Sequence, residues 1–336
     1  MEKIRKHTRR HSLLYTISGV VLLFVGLAVT WNYHYIISTR KTFYTSTLER
    51  QSLSELNLYQ EGSVTLVKQY FDQALGTITN LAINGSVQQL LRTNQSAPLI
   101  AALDQQRTIS GQFDSLSIIT AKGNMLAFST NEGAVPPGTD ESTSPAYLAG
   151  KAATGAVLID AHNSQLGRVV FSIAAPIKDK DGHLLGTASG AITLASLAQH
   201  IHLSSGYDTG FSSLLTDASG NALVWQGKPV AGLLNEKNKE QTLKALMQQG
   251  SVPANQEYNF AGKNSFAEGN TLDFGTGGKL YLVGFYDVSG YQQQINEGLQ
   301  DISATFSGFI VRDGLLLLSA LVVIGVIIKV HETRGV

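Results

Sequence analysis

The sequence contains no cysteine. This absence excludes disulfide bridges, thiolate zinc sites, iron–sulfur clusters and cysteine nucleophiles. Charge is also scarce, since Asp, Glu, Lys and Arg make up 15% of the 336 residues, against roughly 25% in ordinary soluble domains. Basic and acidic residues both number 25, so the chain lacks the positive field that nucleic-acid-binding proteins usually carry. The composition therefore favours a protein that lies partly in lipid and does not bind nucleic acid.

The N-terminus combines a basic segment with a long uncharged run over residues 13–31. At 1.5 Å per residue, such a run spans roughly 28 Å, close to the hydrocarbon thickness of a bilayer. The alternative is a cleaved signal peptide, but the run is longer than a signal core and Ala28-Val29-Thr30 is a poor cleavage site. We predict a cytoplasmic segment over 1–12 and an uncleaved transmembrane helix over 13–31.

A second apolar run begins at Gly314 and is rich in Leu, Val and Ile. Lys329 near its end can snorkel to the membrane surface, so we predict a second transmembrane helix over 314–330, with a buried soluble helix as the alternative. The basic N-terminus places both chain ends in the cytoplasm by the positive-inside rule. We therefore expect an inner-membrane protein whose main block is periplasmic or extracellular. The tail over 331–336 is too short to fold into an output domain.

The block between the two runs changes its periodicity once. Apolar residues recur every three or four positions from Leu56 to Leu81, which predicts one long helix from Tyr33 to about Leu91. After about Asp114, short β-rich runs alternate with polar turns, which predicts antiparallel strands. The first cycle has strands over 116–120, 125–129, 157–161, 168–177 and 184–192, with helices over 142–153 and 193–202. A second cycle has strands over 210–216, 221–225, 256–261 and 279–287 and a helix over 235–249, before an amphipathic helix from about Ser289.

Several segments of this block carry a specific resemblance. They are Ser144-Pro145-Ala146-Tyr147 with Thr154-Gly155, residues 170–177, 178–186 and 190–192, and in the second cycle 206–210 and 215–220. At these residues the sequence resembles the double Cache domain, the extracytoplasmic sensor of many bacterial chemoreceptors, histidine kinases and diguanylate cyclases. The resemblance covers roughly residues 33–310. It implies an α+β fold in which a long N-terminal helix carries two PAS-like antiparallel-sheet units, flanked by the two transmembrane helices.

The resemblance also implies a division of the block. The long helix and its connection would occupy 33–113, a distal unit 114–203, a proximal unit 204–290 and a return helix 291–310. It further implies a homodimer along the long helices.

Amino-acid-binding members of that family resemble one another at an Arg for the ligand carboxylate, aromatic residues beside it, and an Asp for the ligand amine. A guanidinium suits a carboxylate, and a partly buried carboxylate pairs with an ammonium. At the matching positions this sequence has Ser144 for the Arg, Ala146 for an aromatic residue and Ala191 for the Asp. We therefore predict that the domain does not bind α-amino acids in the usual way.

Polar residues still remain near the expected cavity. The candidate ligand-binding residues are Ser144, Tyr147, Asp160, His162, Ser172 and Ser189. Asp160 and His162 lie two apart on a predicted strand, so we expect their side chains to face the same way. Together they could hold a hydroxylated, cationic or metal-bearing ligand, unless both are solvated residues at a strand end. Tyr147 either matches a pocket aromatic of the family or packs in the core.

The sequence contains no P-loop, Rossmann glycine pattern, G-x-S-x-G elbow or H-E-x-x-H motif. We therefore predict no enzyme, no cofactor and no metal site. The leading hypothesis is a membrane-anchored sensor of an unknown small molecule that lacks its own output domain and signals through a separate cytoplasmic or membrane partner. Two alternatives stay open: the truncated input half of a chemoreceptor, histidine kinase or diguanylate cyclase, and a scaffold that binds another protein without any ligand.

Overall fold

A computed structural model describes residues 2–131, 133, 135–164, 166–201, 210–230, 257–260, 263–275 and 278–334. The predicted helix over 235–249 lies outside the described residues. The chain forms two compact units, of which one comprises Leu53–Val288 and the other Met1–Ser52 with Ser289–Val336.

The unit that contains both chain ends is helical. It is formed by the first part of helix α1 (Glu2–Ile83) and by helix α6 (Val288–Arg334). From Gly19 onward, α1 contains a stretch that is long and apolar enough to cross a membrane, and none of that stretch is buried. Within the described part of the chain α1 alone meets this criterion, so the span at 314–330 stays a prediction.

Helix α1 buries one face along its second half, where Leu56, Tyr70, Ala74 and Ile78 are all in the core as the periodicity predicts. Leu66 was expected on this face but is half exposed, whereas a neighbouring stripe that includes Val67 and Phe71 is fully buried. The long helix also ends earlier than expected. Its successor begins at Asn84, whose side chain accepts the N–H groups of Ser86 and Val87 and caps a separate helix.

Two further helices precede the first sheet: α2 (Gly85–Arg92) and α3 (Ser96–Ser110). The sheet has the antiparallel order β2-β1-β5-β4-β3 and carries helix α4 before β3 and helix α5 after β5. Its elements are β1 (Ser115–Thr120), β2 (Met125–Thr130), α4 (Pro145–Ala152), β3 (Val157–Asn163), β4 (Val169–Lys178), β5 (Leu184–Thr193) and α5 (Leu194–His200). The five predicted strands are confirmed to within two residues at each end.

Both edges of this sheet are occupied. At the β2 edge, the Met125 N–H donates to the Thr139 carbonyl over 2.8 Å, and the Gly138 N–H donates to the Met125 carbonyl over 2.7 Å. At the β3 edge, the Gly278 N–H donates to the Leu158 carbonyl over 2.9 Å. Gly278 directly precedes β11 of the second sheet, so the chain just before that strand is bonded to the edge of the first sheet.

The second sheet has the order β8-β7-β6-β11-β10-β9. Its strands are β6 (Phe211–Asp217), β7 (Ala222–Trp225), β8 (Lys228–Pro229), β9 (Glu257–Phe260), β10 (Lys263–Asp273) and β11 (Lys279–Asp287). The eleven-residue β10 was not predicted, because its Asn, Glu and Gly residues have low β propensity. Its strand conformation is stabilised by pairing with β11 over nine residues, from Ser265 to Asp273.

One hydrophobic core joins the two sheets. It includes Phe171 and Ile173 of the first sheet and Leu215 and Leu282 of the second. Phe71 of α1 lies between them, since its ring centroid is 5.6 Å from that of Phe171 and 5.1 Å from that of Phe274, just after β10.

Candidate functional site

The first sheet carries a cavity of about 850 Å³ on one of its faces. The wall also includes parts of α3, α4 and α5 and of the loops around residues 131–146 and 162–168. A volume of this size falls within the range of roughly 300–1,000 Å³ that is typical of small-molecule sites.

The cavity exists because small side chains line one face of three adjacent strands. These residues are Ser115, Ser117, Ser172, Ser189, Ala191 and Thr193. Residues that alternate with them point into the core, where Leu116, Phe171 and Ile173 are fully buried. Cross-strand pairing brings Ser117 opposite Ser189 and Ser172 opposite Ala191. In β1 and around Ser172 of β4, small and large residues alternate in the sequence, which would have identified that part of the wall. Around Ser189 of β5 the residues on both faces are small, so no such signal marks Ser189.

The wall contains an ordered polar network. The Ser117 and Ser189 hydroxyls lie 2.7 Å apart and are buried. His162 Nδ1 lies 2.7 Å from the Asp160 carbonyl oxygen, which can only accept, so this nitrogen carries the proton. In the neutral ring, Nε2 then accepts from the Ser172 hydroxyl at 3.2 Å. The network fixes the orientation of the imidazole at the cavity surface.

Four of the six candidate ligand-binding residues lie in the cavity wall: Ser144, His162, Ser172 and Ser189. Tyr147 is buried behind the wall in a cluster with Ile119 and Met125, and its hydroxyl donates to the Ala121 carbonyl over 2.7 Å. The ligand-binding role of all six residues stays a prediction.

The expectation that Asp160 and His162 face the same way is wrong. The pairing of β3 with β4 shifts register between Ile159 and His162, and this irregularity breaks the simple alternation of side chains. His162 therefore reaches the cavity, whereas Asp160 is absent from its lining. The Asp160 carboxylate instead lies against Gly278, where any side chain would collide with it.

Two of the charged residues in the wall already have partners. Asp114 accepts the Thr193 N–H at 2.6 Å and the Ser196 hydroxyl at 2.7 Å, which ties it to the start of α5. Arg107 Nε donates to the Ser129 hydroxyl at 2.9 Å, and its guanidinium lies 3.8 Å from Asp104. The Asp114 carboxylate and the Arg107 guanidinium are thus bonded to other residues of the protein.

Sequence reasoning missed Glu141, a carboxylate in the cavity wall with only 6% of its surface exposed. Its N–H donates to the Gly123 carbonyl at 2.7 Å, and the Ser144 side chain is hydrogen-bonded to its carboxyl group. Burial raises the pKa of the Glu141 carboxyl, and the nearby Asp140 charge acts in the same direction. No local sequence signal marks this residue, because its burial depends on the contact between the 138–141 segment and the β1–β2 turn.

The positions that carry charge in amino-acid-binding Cache domains also lie in the wall. Ser144, Ala146 and Ala191 all line the cavity. Ser144 caps α4, since its hydroxyl oxygen accepts the Tyr147 N–H at 3.2 Å. The wall is therefore neutral at these three positions.

A long helix with two antiparallel sheets, one of which carries a cavity, is the architecture of the Cache-type ligand-binding domains of bacterial chemoreceptors, and this chain has that fold. The Campylobacter jejuni chemoreceptor Tlp3 domain, solved with L-valine, matches with a TM-score of 0.54 and 14% identity over 76% of this chain and 98% of that domain. The Pseudomonas fluorescens CtaA domain, solved with L-isoleucine, matches with a TM-score of 0.53 and 18% identity over 74% and 98%.

A sequence relative agrees with this class. The methyl-accepting chemotaxis protein McpA of Pseudomonas putida is 26% identical over 240 residues, which are 70% of this chain and 33% of that protein. The match thus covers about a third of the length of McpA. No family model matches the chain. The predicted resemblance to Cache-type ligand-binding domains is confirmed at the level of the fold.

Proposed function

We propose that this chain is a membrane-anchored sensor that binds a small molecule in the cavity of its first sheet, on the outer side of the cell membrane. The observation that carries the proposal is the cavity of about 850 Å³, which polar and apolar side chains line within a fold similar to that of chemoreceptor ligand-binding domains. The homodimer and a separate signalling partner remain predictions.

A ligand screen on the full-length chain in detergent micelles tests this proposal. Binding to the native state alone stabilises a protein by about 2.7 kcal/mol when the ligand is at a hundred times its Kd. In a domain of this size we expect a rise in melting temperature of about 5–10 °C. If none of a broad set of metabolites raises the melting temperature, although the protein is well folded, the scaffold hypothesis is favoured.

A matched pair of variants locates the binding site. Ala191 is half-buried in the cavity wall, so Ala191→Leu places an isobutyl group in the space that the ligand needs. Ala218 is exposed in the turn between β6 and β7, so Ala218→Leu makes the same change away from the cavity. We expect only Ala191→Leu to abolish the thermal shift of a compound found in the screen. Equal shifts in both variants would place the site elsewhere.

We also propose that segments 13–31 and 314–330 both cross the membrane. Because the chain has no cysteine, each introduced cysteine is a single label. With a membrane-impermeant maleimide on intact cells, or on spheroplasts where an outer membrane blocks the reagent, we expect Ser219→Cys to react, whereas Lys6→Cys and Thr333→Cys react only after permeabilisation. Labelling of Thr333→Cys without permeabilisation would overturn the second span.

A further inference from the structure

Glu141 is a buried acidic side chain in the cavity wall, and within the described part of the chain it forms no ion pair. Its hydrogen-bond partner is the hydroxyl of Ser144. The neighbouring charge is another acid, Asp140, which is exposed and accepts the Ser142 N–H at 2.8 Å. A carboxylate held away from water without a counter-charge is unfavourable, and a cation is the partner that relieves it.

Among the described residues, none of the other ionic groups of the wall forms an ion pair with Glu141, and this holds for Arg168 and His200 as well. Arg107 is bound to Ser129 and lies beside Asp104. Asp114 is occupied by the start of α5. His162 is held by the Asp160 carbonyl and Ser172. Glu141 thus lines the cavity without a cationic partner among the described residues, and its charge is available to a ligand there.

The surroundings of Glu141 also restrict the rest of the ligand. The Glu141 N–H is bonded to Gly123, two residues before Met125. Met125 forms an apolar cluster with Ile119 and Tyr147, against which Phe128 and Val135 pack. Four of these five side chains line the cavity, so the wall there is apolar. Carbon atoms next to the cationic group would find this surface.

From this geometry we propose that Glu141 binds the cationic nitrogen of the ligand, so that the sensed compound is an amine with an apolar portion. The inference rests on the proposed sensor function and names the ligand class of the same cavity. A protonated amine donates to the Glu141 carboxylate, and a quaternary ammonium, which has no N–H, pairs with it by charge alone. The hydroxyls of Ser117, Ser172 and Ser189 are available to polar groups elsewhere on the compound.

The test compares amines with neutral compounds of the same shape on the full-length chain in micelles at neutral pH. The amines are butylamine, putrescine, phenethylamine and choline. The neutral compounds are butanol, butanediol, phenylethanol and dimethylbutanol. A third set of carboxylic acids contains succinate and alanine. We expect at least one amine to raise the melting temperature while its neutral counterpart does not.

A charge-removing variant assigns the effect to Glu141. Glu141→Gln keeps an oxygen for Ser144 but removes the charge, and we expect the Kd of the amine to rise by about tenfold or more. Asp181→Asn removes a charge from an exposed turn and should leave the Kd unchanged. If Glu141→Gln does not fold, Glu141→Asp keeps the charge and should retain the preference for amine over alcohol.

The outcomes separate this inference from the proposed function. Stabilisation by alcohols or carboxylic acids but not by amines would overturn the amine assignment and leave a sensor. Equal amine affinity in wild type and Glu141→Gln would overturn the role of Glu141. If no compound of the three sets and no metabolite of the broad screen raises the melting temperature, both proposals are overturned.

Discussion

At the scale of single residues, Glu141 makes the stability of the ligand-free protein depend on pH. Burial raises the pKa of its carboxyl group above the ordinary 4.5. The folded state therefore binds this proton more tightly than the unfolded state does. The protonated carboxyl group makes its full contribution to the free energy of unfolding below pH 4.5. That contribution is lost as the pH rises through the folded-state pKa. At neutral pH the charged carboxylate destabilises the fold.

Glu141→Gln should accordingly melt about 2–4 °C higher than wild type at neutral pH, because it removes a buried charge. The difference should disappear in acid, where wild-type Glu141 is neutral too. Scanning calorimetry across pH measures both points, and Asp181→Asn in the exposed turn is the control. A lower melting temperature of Glu141→Gln at neutral pH would show that the charge is satisfied within the fold.

Gly186 gives a second prediction at this scale. A Cβ atom there would meet the carbonyl oxygen of Ile119 on the neighbouring strand and lie 3.1 Å from Leu91. Because a backbone oxygen cannot move aside easily, Gly186→Ala should lower the free energy of unfolding by about 1–3 kcal/mol. Gly155 has no atom within 4 Å of such a Cβ, so Gly155→Ala should be neutral or slightly stabilising. Urea denaturation distinguishes them, and equal effects would contradict the packing argument.

At the scale of elements, the two helices after α1 start differently. Asn84 caps α2 by accepting the N–H groups of Ser86 at 2.9 Å and Val87 at 3.3 Å. Gln95 stands at the same position before α3 but makes no side-chain cap bond. Asn84→Ala should therefore cost about 1 kcal/mol, whereas Gln95→Ala should cost little. Chemical denaturation monitored by circular dichroism measures both, and equal losses would show that the cap contributes nothing.

The elements also show what the sequence could predict. Strands β1, β4 and β5 were predictable because each is a short β-rich run next to a polar turn. The end of α1 was not, since Asn84 is compatible with helix interior and cap alike. Strand β10 was missed because pairing with β11 overrides its weak propensity. At the site, Ser172 and Ser189 were found by position, Asp160 was misplaced by a strand irregularity, and Glu141 is buried by a loop contact that no local pattern encodes.

At the scale of the whole chain, the shared core predicts that both sheets unfold together. Phe71 contacts Phe171 of the first sheet and Phe274 beside the second, so neither side retains its packing alone. Hydrogen exchange measured by mass spectrometry should give equal opening free energies for peptides from β5 and β11.

The variant Phe71→Ala should lower both opening free energies together, by about 3–5 kcal/mol. Leu66→Ala, on a half-exposed position of the same helix, is the control. Opening of one sheet at a lower free energy than the other would contradict a single cooperative core.

The occupied edges of the first sheet bear on how copies of this protein meet. An unpaired edge strand is a template for adding a strand from another molecule and so for aggregation. Here Met125 at the start of β2 is bonded to Gly138 and Thr139, and Leu158 of β3 is bonded to Gly278. In the second sheet the described outer strands β8 and β9 are only two and four residues long. A strand from another copy should therefore not add to the first sheet at Met125 or Leu158, where main-chain groups are already bonded.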